Sequence, residues 1–169
     1  EEINRRIIDH ISDVNLCYSE HARNYLNWEG VAKERTYVVG SPMAEVLKVN
    51  KEKIDNSKVL ENLKIEKGKY ILLSAHREEN IDIEDNFMAL MNAVNAMAKN
   101  YDMPVIYSTH PRSKKFIEQR AFKFHSNVRS LQPFSFSDYN HLQQNSFCVV
   151  SDSGTIAEEA SYFKFPLSL

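Results

Sequence analysis

One stretch of this sequence has the residue types of an anion site. In Val149-Val150-Ser151-Asp152-Ser153-Gly154-Thr155-Ile156-Ala157-Glu158-Glu159-Ala160, a buried-type strand passes through a small polar turn into an apolar-periodic helix. Gly154 lets a ligand approach the backbone. Ser153, Gly154 and Thr155 can present N–H groups and hydroxyls at a helix N-terminus, where unpaired amides and the helix dipole favour a phosphate. Glu158 and Glu159 follow in the next turn, where a carboxylate can accept hydrogen bonds from ribose hydroxyls. The same residues also suit an ordinary N-cap, with Ser153 or Thr155 capping and the glutamates favourable to the dipole.

A second polar stretch, Ala75-His76-Arg77-Glu78-Glu79-Asn80, follows the apolar run Tyr70-Ile71-Leu72-Leu73-Ser74. An imidazole at that strand tip, His76, can donate to a phosphate or move a proton near neutral pH. The alternative is a solvated charged loop capping the next helix. A third stretch, Thr109-His110-Pro111-Arg112, can add a His and an Arg as phosphate donors, or play a structural part. With four glycines there is neither GxGxxG nor GxxxxGK[ST], which argues against a dinucleotide dehydrogenase and a P-loop NTPase. Neither HExxH nor GxSxG occurs, and the six histidines lack metal-ligand spacing, so no metal site is predicted.

These loops need a scaffold, and the chain's 169 residues are enough for one ordinary domain with a real core. Hydrophobic residues at 43% and charged ones at 26% suit a globular protein. A net charge of -2 gives no broad basic footprint, which argues against nucleic acid as a partner. Cys17 and Cys148 lack CxxC partners and sit in apolar runs, as small buried hydrophobes in a reducing compartment would. No apolar run nears the membrane-spanning length and no signal-peptide pattern opens the chain, so a cytoplasmic protein without membrane attachment is expected. The chain starts at Glu1, directly in an amphipathic helix, and 165–169 reads as a strand beginning. Both ends are therefore expected to be cut from something longer.

Along the chain, helical and strand-like patterns alternate. Ile3, Ile7, Ile8 and Ile11 share one helical face, 14–18 reads as a strand, and 21–28 as a helix closed by Gly30. Residues 36–39 form a strand, after which Ser41 caps a helix with Pro42 at its first position. A polar surface helix is predicted over 51–64, and Phe87, Leu90, Met91, Val94, Met97 and Ala98 make a core-facing helical stripe. Further strands are predicted at 70–74, 104–108, 128–131 and 147–150, with helices at 111–119, 137–144 and 155–163. The alternation predicts βαβ units and a Rossmann-like parallel α/β sheet, with ligands at the carboxyl ends of the strands near a switch point.

Four motifs together resemble the non-hydrolysing UDP-N-acetylglucosamine 2-epimerases. They are Glu1-Glu2-Ile3-Asn4-Arg5, Gly40-Ser41-Pro42, His76-Arg77-Glu78-Glu79-Asn80 and Asp152-Ser153-Gly154-Thr155-Ile156-Ala157-Glu158-Glu159-Ala160, in the family's order across almost the whole chain. Thr155, where many members have a second glycine, and Phe136-Ser137-Asp138-Tyr139-Asn140-His141-Leu142 resemble a subgroup acting on UDP-2-acetamido-2,6-dideoxy sugars, on the route to N-acetyl-L-fucosamine.

The resemblance implies a two-domain GT-B architecture with a UDP-sugar in the cleft. Residues 1–40 would end the N-terminal half and 41–169 would form most of the C-terminal, UDP-binding half. It implies C2 epimerisation by UDP elimination and re-addition, without nicotinamide or metal, and a homodimer for the full-length enzyme. Glu1 matches a carboxylate implicated in proton handling, Arg5 a catalytic arginine, and His76 the histidine near the diphosphate. Ser153 and Gly154, with Thr155, match the diphosphate turn, Glu159 the ribose carboxylate, and Tyr139 an aromatic residue at the uracil side.

The family's Gly-Thr-Arg-Pro-Glu segment, its acidic residues from central strands and a later Thr-Glu-Arg-Pro segment are absent from these 169 residues. The chain alone is therefore expected to be inactive. Two other readings stand beside the epimerase: a GT-B glycosyltransferase, and a split-gene or decayed remnant that only binds UDP. Against the glycosyltransferase stand the Glu1 to Arg5 helix and the His76 loop, neither of which is expected there.

Overall fold

Apolar residues gather in two separate places along this chain. The computed structural model describes residues 2–168, and the chain divides into two compact units, Glu1–Val46 and Leu47–Leu169.

In the first unit, α1 (Glu2–Ile11) leads to β1 (Asn15–Cys17), α2 (Glu20–Trp28), one 3-10 turn (Lys33–Arg35) and β2 (Thr36–Val38). The two strands pair in parallel, Asn15 opposite Thr36 and Cys17 opposite Val38. Ser19 caps α2 by accepting from the Ala22 amide at 3.2 Å, and Gly30 follows its end at φ +97, a conformation costly for any residue with a Cβ. Cys17, Leu26 and Val31 form the small core. The four isoleucines of α1 do fall along one side, yet they stay exposed, Ile3 and Ile11 by 74% each. The polar side of the helix is the engaged one: Arg5 pairs with Asp9 and Glu29, and Asn15 donates to the Asp9 carbonyl at 3.0 Å.

Helix α3 (Met43–Asp55) begins where Ser41 Oγ accepts from the Met43 amide at 3.1 Å, so Ser41 does cap it. The polar helix expected over 51–64 is in fact interrupted. The chain leaves α3 at Asp55 and re-enters a helix at α4 (Val59–Leu63), because Ser57 donates to Asp138 and accepts from the Val59 amide. Neither piece is purely surface, since Leu47, Ile54 and Val59 are buried.

The second unit continues with β3 (Ile71–Ser74), α5 (Glu78–Ile81), α6 (Glu84–Tyr101), β4 (Val105–Ser108) and α7 (Pro111–Gln119). It ends with β5 (Val128–Leu131), α8 (Phe136–Asn145), β6 (Cys148–Ser151), α9 (Ile156–Phe163) and β7 (Leu167–Ser168). The strands form one sheet in the order β5-β4-β3-β6-β7, all parallel. Period-2 alternation divides β3 between two cores. Ile71 and Leu73 pack with Phe87, Met91 and Val94 of α6, whereas Leu72 packs with Leu142 of α8 and Ile156 of α9. With both faces covered, β3, β4 and β6 read as apolar runs, as central parallel strands do, whereas β5 at the edge carries Arg129 and Ser130. Strands β3, β4 and β5 step outward on one side, and the chain then returns to place β6 on the other side of β3. The carboxyl ends of β3 and β6 are therefore the switch point of the sheet.

Candidate functional site

Ser74 and Ser151 lie opposite each other at that switch point, so the loops after β3 and β6 leave the sheet side by side. Asp152 ties them together. Its carboxylate accepts from the His76 amide at 3.0 and 3.1 Å, the Arg77 amide at 2.9 Å and Asn80 Nδ2 at 3.1 Å. Arg77 Nε donates to the Asp152 carbonyl at 2.6 Å. From below, the buried Tyr107 and Ser113 hydroxyls both donate to the Ala75 carbonyl at 3.1 Å, which fixes the residue preceding His76.

His76 Nδ1 stands 3.3 Å from Asp152 Oδ1, and its side chain is 44% exposed against 13% for Asp152. When Nδ1 carries the proton shared with Asp152, Nε2 is an acceptor in neutral imidazole and a donor only in imidazolium. That arrangement suits a group that accepts a proton and then stabilises, or hands it to, an oxygen anion. The His110 ring lies 6.1 Å from that of His76, centroid to centroid.

Beside this pair is a cleft of about 450 Å3, lined by Arg77, Glu79, Asn80, Ser151, Asp152, Ser153, Gly154 and Ala157. A Cβ on Gly154 would meet nothing within 4 Å, so the cleft wall is open just ahead of α9. Thr155 occupies the N-cap position with no side-chain cap bond, and its hydroxyl instead donates to Glu159 Oε1 at 3.1 Å. Ser153 Oγ lies 3.4 Å from that hydroxyl. Glu159 is buried, and its second oxygen accepts from Gln143 Nε2 at 2.6 Å. Tyr139 packs against the same core cluster. Burial pushes its phenol up to about 12, partly offset by the side chains of Ser74, Gln143 and Ser151 around the hydroxyl.

The structure thus brings His76, Ser153 and Gly154 together at the switch point, and joins Thr155 and Glu159 one turn along α9. Arg5 belongs to the first unit, where it lines a cleft of about 600 Å3 with Glu2, Arg6, Asp9 and Glu29. Glu29 first, then Asp9, hold its guanidinium above the usual range. Glu1 lies outside the described residues. Arg112, read as a possible phosphate donor, is committed elsewhere: Asp82 and Glu78 take its guanidinium and hold it well above the usual arginine range. His110 caps α7 by accepting from the Arg112 amide at 3.2 Å. Burial raises both thiols, Cys17 and Cys148. Among the described residues no three His, Cys, Asp or Glu side chains group as metal ligands. No helix among them is long and apolar enough to cross a membrane.

Two residues that organise this region carry no role in the sequence reading. Asp152 was visible only as a letter of the turn, and Gln143 not at all. The position of Asp152 directly after a strand at the switch point is the signal that can find it.

The model for UDP-N-acetylglucosamine 2-epimerase matches residues 1–168. A UDP-N-acetylglucosamine 2-epimerase homolog from Methanococcus maripaludis is 35% identical over 98% of this chain and 47% of its own length. The solved UDP-N-acetylglucosamine 2-epimerase from Rickettsia bellii is 43% identical, with a TM-score of 0.84 over 98% of this chain and 44% of that one. The Methanocaldococcus jannaschii enzyme, solved in complex with UDP-GlcNAc and UDP, is 28% identical, with a TM-score of 0.89 over 99% of this chain and 48% of that one. The parallel-sheet fold of these GT-B-type neighbours is the fold described above. The chain spans about half the length of the curated relatives it matches. With the family model covering nearly every residue, the chain belongs to the UDP-N-acetylglucosamine 2-epimerase family.

Proposed function

We propose that this chain supplies the UDP-holding part of a non-hydrolysing 2-epimerase acting on a UDP-N-acetylhexosamine. One observation carries the reading: at the switch point the His76 loop is fastened to Asp152, the residue directly preceding the Ser153-Gly154 turn. In the proposed reaction the C2 proton is removed and the C1–O bond to UDP breaks, leaving a 2-acetamidoglucal. A proton then enters C2 from the opposite face and UDP adds back at C1.

Each group has a stated part in that scheme. His76 as imidazolium stabilises the charge on the departing diphosphate from Nε2, while the Ser153, Gly154 and Thr155 turn holds its oxygens. Glu159 accepts from the ribose hydroxyls, and Tyr139 stands at the uracil side. Arg5 and Glu1 act on the sugar side. Residues 1–40 end the N-terminal half and 41–169 form most of the C-terminal half, a division supported by the change of compact unit inside α3.

The 6-deoxy subgroup, a homodimer of the full-length enzyme and a cytoplasmic location complete the proposal. Thr155 and the 136–142 stretch support the first of these. By themselves these 169 residues bind UDP without turning a UDP-sugar over.

Titration calorimetry with UDP tests the binding part. The chain should bind UDP, and Ser153→Ala with Glu159→Ala should weaken it at least tenfold by removing two polar contacts. An unchanged affinity in that double variant would sink the cradle. Deuterium incorporation at C2 of a UDP-N-acetylhexosamine by a full-length protein carrying this sequence tests the chemistry; UDP binding without exchange there rules the epimerase out.

A further inference from the structure

Glu159, buried in the turn after the wall of the cleft of about 450 Å3, is held by two donors of its own chain. Gln143 of α8 is fully buried and gives its Nε2 proton to Glu159 Oε2 at 2.6 Å, across 16 residues of sequence. Thr155 gives its hydroxyl proton to Oε1 at 3.1 Å. A carboxylate has about four lone-pair directions, two on each oxygen. Among the described residues, one donor on each oxygen therefore leaves one further acceptor direction on each. A vicinal diol, with two neighbouring O–H donors, has the matching pattern.

A second observation concerns Gln143 itself. Its amide carbonyl, Oε1, is buried without a hydrogen-bond partner. Burying an unpaired carbonyl is unfavourable, and an apolar side chain of the same length would fill the site without that cost. The amide is thus explained by the polar groups it reaches, the Glu159 carboxylate at 2.6 Å and the nearby Tyr139 hydroxyl, and not by apolar packing.

We propose that Gln143 is a positioning residue for ribose recognition. By pinning Oε2 it aims the Glu159 carboxylate at both hydroxyls of a ribose diol, and so sets a preference for ribonucleotides over 2′-deoxyribonucleotides. The inference rests on the reading of this turn as a UDP cradle. A carboxylate that turned freely would follow whichever single hydroxyl remained and would discriminate little. A pinned one is left with an unmatched acceptor when the 2′-hydroxyl is gone, the situation in which a polar site rejects an analogue most strongly.

The test compares UDP with 2′-deoxy-UDP by titration calorimetry on the chain and on its Gln143→Met variant. The unaltered chain should prefer UDP by about tenfold, the equivalent of one lost hydrogen bond. In Gln143→Met the preference should fall to about twofold, through weaker UDP binding at nearly constant 2′-deoxy-UDP binding. Undiminished preference in the variant overturns the inference. Should the variant not fold, the unaltered chain decides by NMR: the Gln143 side-chain amide resonances should shift on saturation with UDP and much less with 2′-deoxy-UDP. Equal shifts overturn the inference. Failure of the unaltered chain to bind UDP overturns the cradle reading itself. Equal affinity for the two nucleotides leaves the cradle standing and removes only the part given to Gln143.

Discussion

Parallel strand–helix–strand units occur in both compact units, and the two differ in what covers them. In the second, β3 has a strand on each edge and a helical layer on each face, and Leu72 and Leu73 are wholly buried. In the first, β1 has one strand beside it, Leu16 is 63% exposed, and the isoleucines of α1 face outward. Fully burying an Ile side chain is worth about 1.5–3 kcal/mol, so the described residues of the first unit leave most of that driving force unused. What fastens α1 is polar, the Arg5 ion pairs and the Asn15 amide on the Asp9 carbonyl, and ion pairs open to solvent contribute little. The chemistry follows the same division. The covered sheet sets two loops side by side and lets a carboxylate of one fasten the other, whereas Arg5 has partners but no such frame.

The largest effect should separate the units directly. Leu72→Ala should destabilise the second unit by about 2–5 kcal/mol, through lost transfer energy and the cavity left behind. Leu16→Ala should cost less than about 0.5 kcal/mol, as an exposed substitution does. Urea unfolding measures both, and equal costs would break the comparison. Hydrogen exchange sharpens it, because amides of β3 should exchange only on opening of the whole sheet and those of β1 on local opening.

Next in size is Asp152→Ala. It strands two backbone amides and the Asn80 amide at a partly buried site, a loss of about 2–3 kcal/mol. If the fastening is as described, UDP affinity falls with it, and exchange quickens at His76 and Arg77 while β1 is untouched. Unchanged protection at those two amides would show that the loop holds itself.

How far the sequence foretold this depends on how local each interaction is. The sequence predicts α7 with its observed bounds because Pro111 marks its first turn, and β5 with its bounds from a weaker pattern, Val128 and Leu131 flanking two polar residues. The α6 stripe was equally plain, with Phe87, Met91, Val94 and Ala98 at helical spacing and all buried. The isoleucines of α1 show the limit of such patterns: a stripe declares an apolar face and says nothing of whether a partner is present. Short α5 was missed, four residues being too few for periodicity. Arg112 looked available for phosphate because Asp82 and Glu78 are 30 and 34 residues away in sequence. Asp152 was hidden more deeply, 76 residues from His76 and joined to it by strand order, while Gln143 meets Glu159 because α8 and α9 cover the same face of the sheet.

The smallest predicted effect uses the buried tyrosines, which only the closed unit has. Burial pushes Tyr107 up to about 12, opposed by Ser113 and aided by the charge of Asp152. The tyrosines of the first unit, Tyr18, Tyr25 and Tyr37, are all at least half exposed. Between pH 10 and 12 the unfolded chain ionises at Tyr107 while the folded chain holds the proton. The contribution of that neutral phenol is therefore complete below pH 10 and is lost as pH rises through about 12. A shift of this size is worth on the order of 2 kcal/mol, and the half-buried Tyr139 adds a loss of the same sign. Tyr107→Phe should cost about 1 kcal/mol below pH 10, from the hydrogen bond to the Ala75 carbonyl, and less as the pH climbs. Urea midpoints from pH 9 to 12 for both chains give the slope. A parallel decline in the two would place the alkaline sensitivity away from Tyr107.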